Sequence, residues 1–269
     1  MMIYELTMIF SKAELPLLEL KLENSLPVVD KFVVVESCQT FAGNTKEKIF
    51  DEEKYKDPKI EYHYIWNQEF FKAENQIKDS VQRAFKVQEK QREFPNRIYD
   101  FKNYDKVFVS DLDEITHKDS LKFLSESNHT FIAQFLSIYT YYINGFLGKN
   151  CWHASYMTRG DYIKKYGINQ LRYKAAQLRG YDYIPVPKNL NVNGAHLCWL
   201  GGADAIKYKI NNFSARRYDR LEITETLEDK IKRLKDPLGY EKDITLIPLD
   251  NTFPLGIEKL MEFYHEPNN

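Results

Sequence analysis

Two kinds of apolar run alternate along the first half of the chain. Ile3 to Phe10 is a short apolar stretch that reads as a strand. Glu14 to Asn24 follows with leucines at helical spacing, and its Pro16 falls where a first helical turn tolerates it. Lys31-Phe-Val-Val-Val-Glu36 is a continuous β-branched run, the pattern of a strand buried on both faces of a parallel sheet. Ile60 to Ile65 predicts another strand. Lys72 to Glu93 is polar and free of proline, with Ile77, Val81, Phe85 and Val87 as a sparse apolar stripe, and predicts one long surface helix. Lys106 to Ser110 is a short apolar strand that runs straight into carboxylates, with a helix over Ser120 to Ser125 behind it.

Strands alternating with helices imply an α/β fold: a mostly parallel central sheet, helices on both faces, and ligands at the carboxyl ends of the strands. Beyond it, Thr130 to Ile143 is strand-rich and aromatic. Ala203 to Phe213 and Glu222 to Lys235 read as helices, the second ended by Asp236-Pro-Leu-Gly239. No repeat, low-complexity tract or composition break divides the 269 residues, so a single domain is expected.

Composition narrows the functional classes. At 43% hydrophobic and 29% charged residues the chain has the balance of a globular domain, which excludes a disordered or fibrous one. A net charge of -1 gives no global field toward nucleic acid or anionic lipid, so any phosphate must be held locally. The aromatic share of 14% serves core filling first, and stacking on sugars or bases second. Cys38, Cys151 and Cys198 are an odd number without metal-binding spacing, which suggests free thiols in a reducing compartment. The first residues carry Glu5 and no basic leader, so they are read as a strand rather than a signal peptide. No run approaches the roughly 20 apolar residues of a membrane helix. A cytoplasmic location is expected.

Three segments carry candidate chemistry. In Val107-Phe-Val-Ser-Asp111-Leu-Asp113-Glu114-Ile115, two aspartates in the turn leaving a strand can converge on one divalent cation. Oxygen ligands suit Mg²⁺ or Mn²⁺, which can bridge a nucleotide diphosphate. Asp113 is the expected direct ligand, with Asp111 reaching the ribose or a metal-bound water. In Asn193-Gly-Ala-His196-Leu-Cys-Trp199-Leu-Gly201-Gly202, a histidine near glycines can complete the metal shell or bind a pyrophosphate, although a lone histidine is more often structural. Gly201-Gly202 would open a helix whose N-terminus is an anion site. Glu36-Ser-Cys-Gln-Thr40-Phe41-Ala-Gly43-Asn-Thr-Lys46 offers a carboxylate, hydroxyls, an aromatic face and an ammonium in one loop, the groups that hold a base, a ribose and a phosphate; taken alone it is a polar turn.

In order along the chain, these segments resemble glycosyltransferase family 17, which includes enzymes that add bisecting N-acetylglucosamine to N-glycans. The matching blocks are Val29-Asp30-Lys-Phe-Val-Val-Val-Glu36-Ser with Thr40-Phe41-Ala-Gly43, then Gln91-Arg92, then Val109-Ser-Asp111-Leu-Asp113-Glu114-Ile115. Tyr141-Tyr142-Ile-Asn144 with Trp152, and Gly194-Ala-His196-Leu-Cys-Trp199-Leu-Gly201-Gly202, complete the series. The resemblance implies a GT-A-type fold, a UDP-sugar donor (UDP-N-acetylglucosamine in characterised members), a divalent cation and inversion at the anomeric carbon. It divides the chain into a nucleotide-sugar-binding half over 1–125 and an acceptor half over 126–269.

Under this resemblance Glu36, Thr40, Lys46, Arg92, Asp111 and His196 would hold the donor, and Asp111, Asp113 and His196 the metal. Asp161, Asp204 and Glu222 are the candidate catalytic bases. Departures bear on acceptor and sugar more than on fold: Thr116 stands where proline is usual, Ala195 replaces a tryptophan, and Phe213-Ser-Ala-Arg-Arg-Tyr-Asp219 is basic. Two other readings compete. In one, Asp111-Leu-Asp113 after an apolar strand imitates the nucleophile and acid of a haloacid-dehalogenase-type phosphohydrolase. In the other, the fold serves a non-catalytic carbohydrate-binding scaffold.

Overall fold

The β-branched run at Lys31–Ser37 becomes the inner strand of a six-stranded sheet, because neither of its faces meets water. The computed structural model describes residues 1–152, 154–177, 193–214, 218–238 and 243–266, with the backbone alone for 149–152 and 177. The side chains of Cys151 and Trp152, together with Arg216, Arg217 and Gly239, lie outside the described residues.

In chain order the strands are β1 (Ile3–Met8), β2 (Lys31–Ser37), β3 (Ile60–Ile65), β4 (Lys106–Val109), β5 (Glu114–Thr116), β6 (Phe131–Ala133), β7 (Leu136–Thr140), β8 (Gly145–Trp152), β9 (Tyr156–Arg159), β10 (Gly194–Cys198) and β11 (Thr245–Leu246). One sheet has the order β3-β2-β1-β4-β9-β6 and the other β11-β8-β7-β10-β5. β3, β2, β1 and β4 are parallel; helices lie in the connections β1 to β2 and β3 to β4, while β2 reaches β3 through the long helix-free loop 38–59. β9 and β6 add to this sheet antiparallel. The second sheet is antiparallel except where β10 runs parallel to β7. The fold is α/β as expected, but parallel pairing is limited to β1 through β4 and to β7 with β10. Past residue 130 the connection β7 to β8 is too short for a crossover helix, and these two strands pair antiparallel, while the short connection β8 to β9 passes from one sheet to the other. The strands do not separate at residue 125 either: β6 and β9 join the first sheet, and β5 joins the second.

Alternation along β2 divides the core. Val33 and Val35 face a cluster that includes Ala84 and Val87 of helix Ser80–Arg92 and Leu171 and Ala175 of helix Ile168–Gln177. Phe32 and Val34 face Leu17, Leu18, Leu20 and Leu22 of helix Leu15–Ser25, together with Ala195 and Leu197 of β10. Each face of the sheet thus buries its own helix, as a two-sided parallel strand requires.

Two expected helices are broken. Lys72 to Glu93 divides at Gln76–Asp79, where Asp79 leaves the helix and its side chain accepts the Gln82 amide (2.7 Å) as an N-cap. The second piece is not a surface helix. Its buried stripe is Ala84, Val87, Gln88 and Gln91, and Gln91 is pinned to β2 by donating to Val35 O (3.0 Å) and accepting from Ser37 Oγ (2.9 Å). Glu222 to Lys235 divides into Leu221–Thr224 and Leu227–Lys232, with the Thr226 hydroxyl donating back to Glu222 O at 2.6 Å. Among the described residues no helix is long and apolar enough to cross a membrane.

Candidate active site

β4 ends at Val109, and the chain turns through Ser110–Asp113 before entering β5 at Glu114. Two internal bonds close this turn: Asp111 N donates to Glu114 Oε2 (2.8 Å), and Glu114 N donates to Asp111 O (3.0 Å). A buried lysine holds it from the side. Lys21 Nζ, on helix Leu15–Ser25, donates to Ser110 Oγ (2.7 Å), Asp111 O (3.0 Å) and Glu114 O (2.6 Å), and lies 3.3 Å from Glu5 Oε1. Each carbonyl so gripped is fixed in direction, so the aspartate side chains leave a rigid frame.

Strand pairing brings His196 to the turn. β10 runs antiparallel to β5 with His196 opposite Glu114, and Leu197 N donates to Asp113 O (2.8 Å). His196 Nε2 consequently lies 3.7 Å from Asp113 Oδ2. The chain then turns sharply through Trp199 (φ 60) and Gly201 (φ 97) into helix Gly202–Asn212. That helix returns Lys209 Nζ to 2.8 Å from the same Asp113 oxygen and 3.7 Å from Glu14 Oε1.

Two arginines complete the cluster. Arg92, at the end of helix Ser80–Arg92, places Nη2 3.1 Å and 3.2 Å from the two oxygens of Asp111. Arg172 Nη2 lies 2.7 Å from Asp111 Oδ2 and 2.6 Å from Glu114 Oε1, and its Nη1 lies 3.0 Å from Glu114 Oε2. Ser155 Oγ donates to Glu114 Oε2 at 2.6 Å.

Burial alone would raise the carboxyl pKa of Asp113, but the Lys209 ammonium and His196 outweigh it and hold the group well below the usual carboxylate range. Burial would do the same to Glu114, where Arg172 reverses the sign. Burial opposes the charge on Arg172 and Lys209 as well, yet Asp111 and Glu114 hold the first, and Asp113 and Glu14 the second, above their ordinary values. Asp113 and Glu114 are therefore held ionised, each by opposite charge. The neighbouring Cys198 thiol is pushed up to about 12, by burial first and Asp113 second, and donates to Tyr139 O, so it is no nucleophile at neutral pH.

These groups line one side of a cavity of about 590 Å³, a volume in the range of small-ligand sites. Arg92, Asp111, Asp113, Glu114, Arg172, His196 and Lys209 form its charged wall. Phe85, Ile138, Leu147, Tyr173, Trp199 and Leu238 supply apolar and aromatic surface.

Of the donor-binding residues expected from sequence, Arg92, Asp111 and His196 meet in this cavity, as does Asp113. Glu36, Thr40 and Lys46 do not line it. Glu36 is fully buried, and its oxygens accept from Lys46 Nζ (2.6 Å), Ile49 N (2.7 Å), Phe50 N (3.0 Å) and Tyr62 Oη (2.8 Å). Thr40 Oγ1 accepts from Asn44 N (3.2 Å). These side chains hold the loop after β2 in shape. A strand end with a carboxylate and an ammonium looks the same in sequence whether the two face a ligand or each other.

The candidate bases Asp161, Asp204 and Glu222 also lie off the cavity wall. Asp161 is paired with Arg159 at 2.6 Å, while Asp204 and Glu222 are exposed in first helical turns. The exposed Gly201 and Gly202 are absent from the lining as well. Three carboxylates line it without being expected as site residues: Glu114 in the turn, Glu89, which is tied to Lys86 and to the Tyr173 hydroxyl, and Asp236, buried, with Oδ1 accepting from Leu238 N at 2.8 Å. Sequence reasoning also missed Lys21, Arg172 and Lys209. Each is one basic residue on a helix rich in polar ones, and no local pattern separates it from its neighbours.

This α/β fold gathers carboxylates, a histidine and three cationic side chains around a cavity at the carboxyl end of a parallel strand, the place where such folds take their ligands. The sequence matches glycosyltransferase family 17 over residues 3–265, and the chain belongs to that family. It is a glycosyltransferase, which takes a sugar donor and an acceptor, and the phosphohydrolase alternative is set aside. Among solved structures, the chain has 12% identity and a TM-score of 0.36 to mannose-6-phosphate isomerase from Helicobacter pylori, over 66% of this chain and 80% of that one. It has the same identity and TM-score to an active-site mutant of LgtC, over 97% of this chain and 94% of that one. Likenesses of this size carry no argument about function. No curated protein matches significantly.

Proposed function

We propose that this glycosyltransferase has a GT-A-type donor site in the described cavity and moves a sugar, N-acetylglucosamine by family resemblance, from a UDP-sugar to a hydroxyl acceptor with inversion and with a divalent cation. The observation that supports the reading is the convergence of Asp113, His196, Arg92 and Arg172 on one cavity wall.

The donor set suits Mg²⁺ or Mn²⁺. Asp113 offers a carboxylate oxygen, the donor such ions prefer, with His196 Nε2 3.7 Å from it. Among the described residues no group of three or more His, Cys, Asp and Glu side chains is arranged to hold a metal on its own. That agrees with an ion bound through one or two protein groups plus substrate phosphates and water, the usual habit of Mg²⁺ in nucleotide sites. Asp113 and His196 would hold it, with Asp111 reaching a bound water or the ribose. When bound, such an ion offsets the charge that develops on the departing diphosphate.

The remaining groups are the chain's own. Arg92 and Arg172 keep positive charge beside the diphosphate while their ion pairs fix their orientation. The acceptor oxygen attacks the anomeric carbon from the face opposite the diphosphate, its bond forming as the bond to the leaving oxygen breaks and that bond's pair of electrons departs with UDP. The acceptor's proton passes to a carboxylate, for which Asp236 is the cavity-lining candidate.

Donor hydrolysis, which proceeds without the unknown acceptor, tests the reading. UDP-sugar hydrolysis should require Mn²⁺ or Mg²⁺ and vanish in Asp113→Ala. Full activity of that variant, or turnover in EDTA, would remove the metal assignment. Calorimetry showing no metal-dependent UDP binding would favour the scaffold reading instead.

A further inference from the structure

Asp113 Oδ2 has two neighbours that a divalent ion could not leave undisturbed. Lys209 Nζ donates to it at 2.8 Å, and His196 Nε2 stands 3.7 Å from it. An ion on this oxygen at about 2.1 Å would share it with an ammonium, and two cations on one oxygen in a buried site repel strongly. The ammonium must yield.

The structure supplies a second place for it. Glu14 Oε1 is 3.7 Å from Lys209 Nζ, so closing to hydrogen-bonding distance takes a shift of about 1 Å. Glu14 is itself fixed: it is buried at the end of the 3-10 turn Lys12–Glu14, and its other oxygen, Oε2, accepts from Phe10 N (3.0 Å) and Ser11 N (3.4 Å). The Trp199 and Phe213 rings, with centroids 5.6 Å and 5.4 Å from Nζ, favour a cation in either position.

We infer that Lys209 is the resident counter-cation of Asp113 and that the divalent ion arriving with the donor displaces it onto Glu14. The inference rests on the metal site proposed above. Without the donor, Lys209 keeps the buried carboxylate ionised and compensated. With it, Glu14 compensates the displaced ammonium, so no buried charge is stranded in either state. A consequence is that the ion binds weakly by itself and tightly only with a diphosphate, which offsets the cost of displacement.

Mn²⁺ titration followed by the electron spin resonance of the free ion, with and without UDP, tests this on the full chain. Lys209→Met, which keeps the stem's packing, should bind Mn²⁺ without UDP more tightly than wild type by about tenfold or more, the scale of one removed buried charge contact. Glu14→Gln, which still accepts the Phe10 and Ser11 amides, should bind it about tenfold more weakly. Opposite signs are a result that general loosening of the site would not produce. If wild type binds Mn²⁺ with UDP but Lys209→Met shows unchanged or weaker affinity without it, the exchange is wrong and the metal site stands. If wild type binds no Mn²⁺ even with UDP, the metal site fails and the exchange with it.

Discussion

Arg172 grips Glu114 with both of its terminal nitrogens, at 3.0 Å and 2.6 Å, while the second of them also holds Asp111 at 2.7 Å. One guanidinium from helix Ile168–Gln177 thereby ties the two ends of the acidic turn together. The turn keeps its shape although three carboxylates crowd it, because every one is met by a cation.

Removing that cation leaves the buried Glu114 carboxylate uncompensated, while Asp111 keeps Arg92. Arg172→Gln should destabilise the fold by about 3 kcal/mol or more, read as a lower urea midpoint. It should also weaken UDP binding in calorimetry more than the conservative Arg172→Lys, whose charge remains but whose fork is lost.

Lys21 makes a complementary case, because it touches the turn only through Ser110 and backbone carbonyls. Lys21→Met should cost about 3 kcal/mol, since it takes the ammonium away from the buried Glu5 carboxylate and from the Glu114 carbonyl. Denaturant unfolding checks this; a loss under about 1 kcal/mol would contradict the assigned role.

Acid should expose the same network. Asp113 and Glu114 have lower carboxyl pKa values folded than unfolded: burial opposes ionisation, but Lys209 with His196, and Arg172, outweigh it. The stability this contributes is fully present above the unfolded values of about 4 and is lost as pH falls below them toward the depressed native values. Urea midpoints should therefore hold nearly level from about pH 7 to about pH 5 where these groups are concerned, and fall below about pH 4. Glu114→Gln should fall less steeply.

His196 offers a separable test of the metal site. His196→Ala should weaken Mn²⁺ binding in the presence of UDP by about 10- to 100-fold. A variant with unchanged Mn²⁺ affinity would remove histidine from the ligand set.

Gly202 has φ 78 with open space where a Cβ would stand, so Gly202→Ala meets backbone strain without a clash. It should cost about 1 kcal/mol while leaving UDP binding intact, because the residue is off the cavity wall. A loss of UDP affinity would instead point to an anion site at this helix end.

The first four parallel strands, their helices and the acidic turn were legible in the chain, because hydrophobic periodicity and a carboxylate-bearing strand end are local patterns. Arg92 became legible only as a member of an ordered family series, while His196 already stood out as a histidine near glycines and gained its role from that series. The loop at Glu36, Thr40 and Lys46 shows where local reading stops: its groups satisfy one another, and nothing in their spacing says so. The bases Asp161, Asp204 and Glu222 show the same limit, since their position relative to a cavity depends on how remote elements pack.

By itself, then, the sequence determined the α/β class, the parallel strand that delivers Asp111 and Asp113, and membership of a glycosyltransferase family. Tertiary structure alone decided which cations meet those carboxylates. Arg172 and Lys209 stand 61 and 96 residues from the Asp111 and Asp113 carboxylates along the chain. Charge pairing across such separations follows from the packing of helices on sheets, which is set by buried surface and leaves no local mark on the lysine or arginine that benefits.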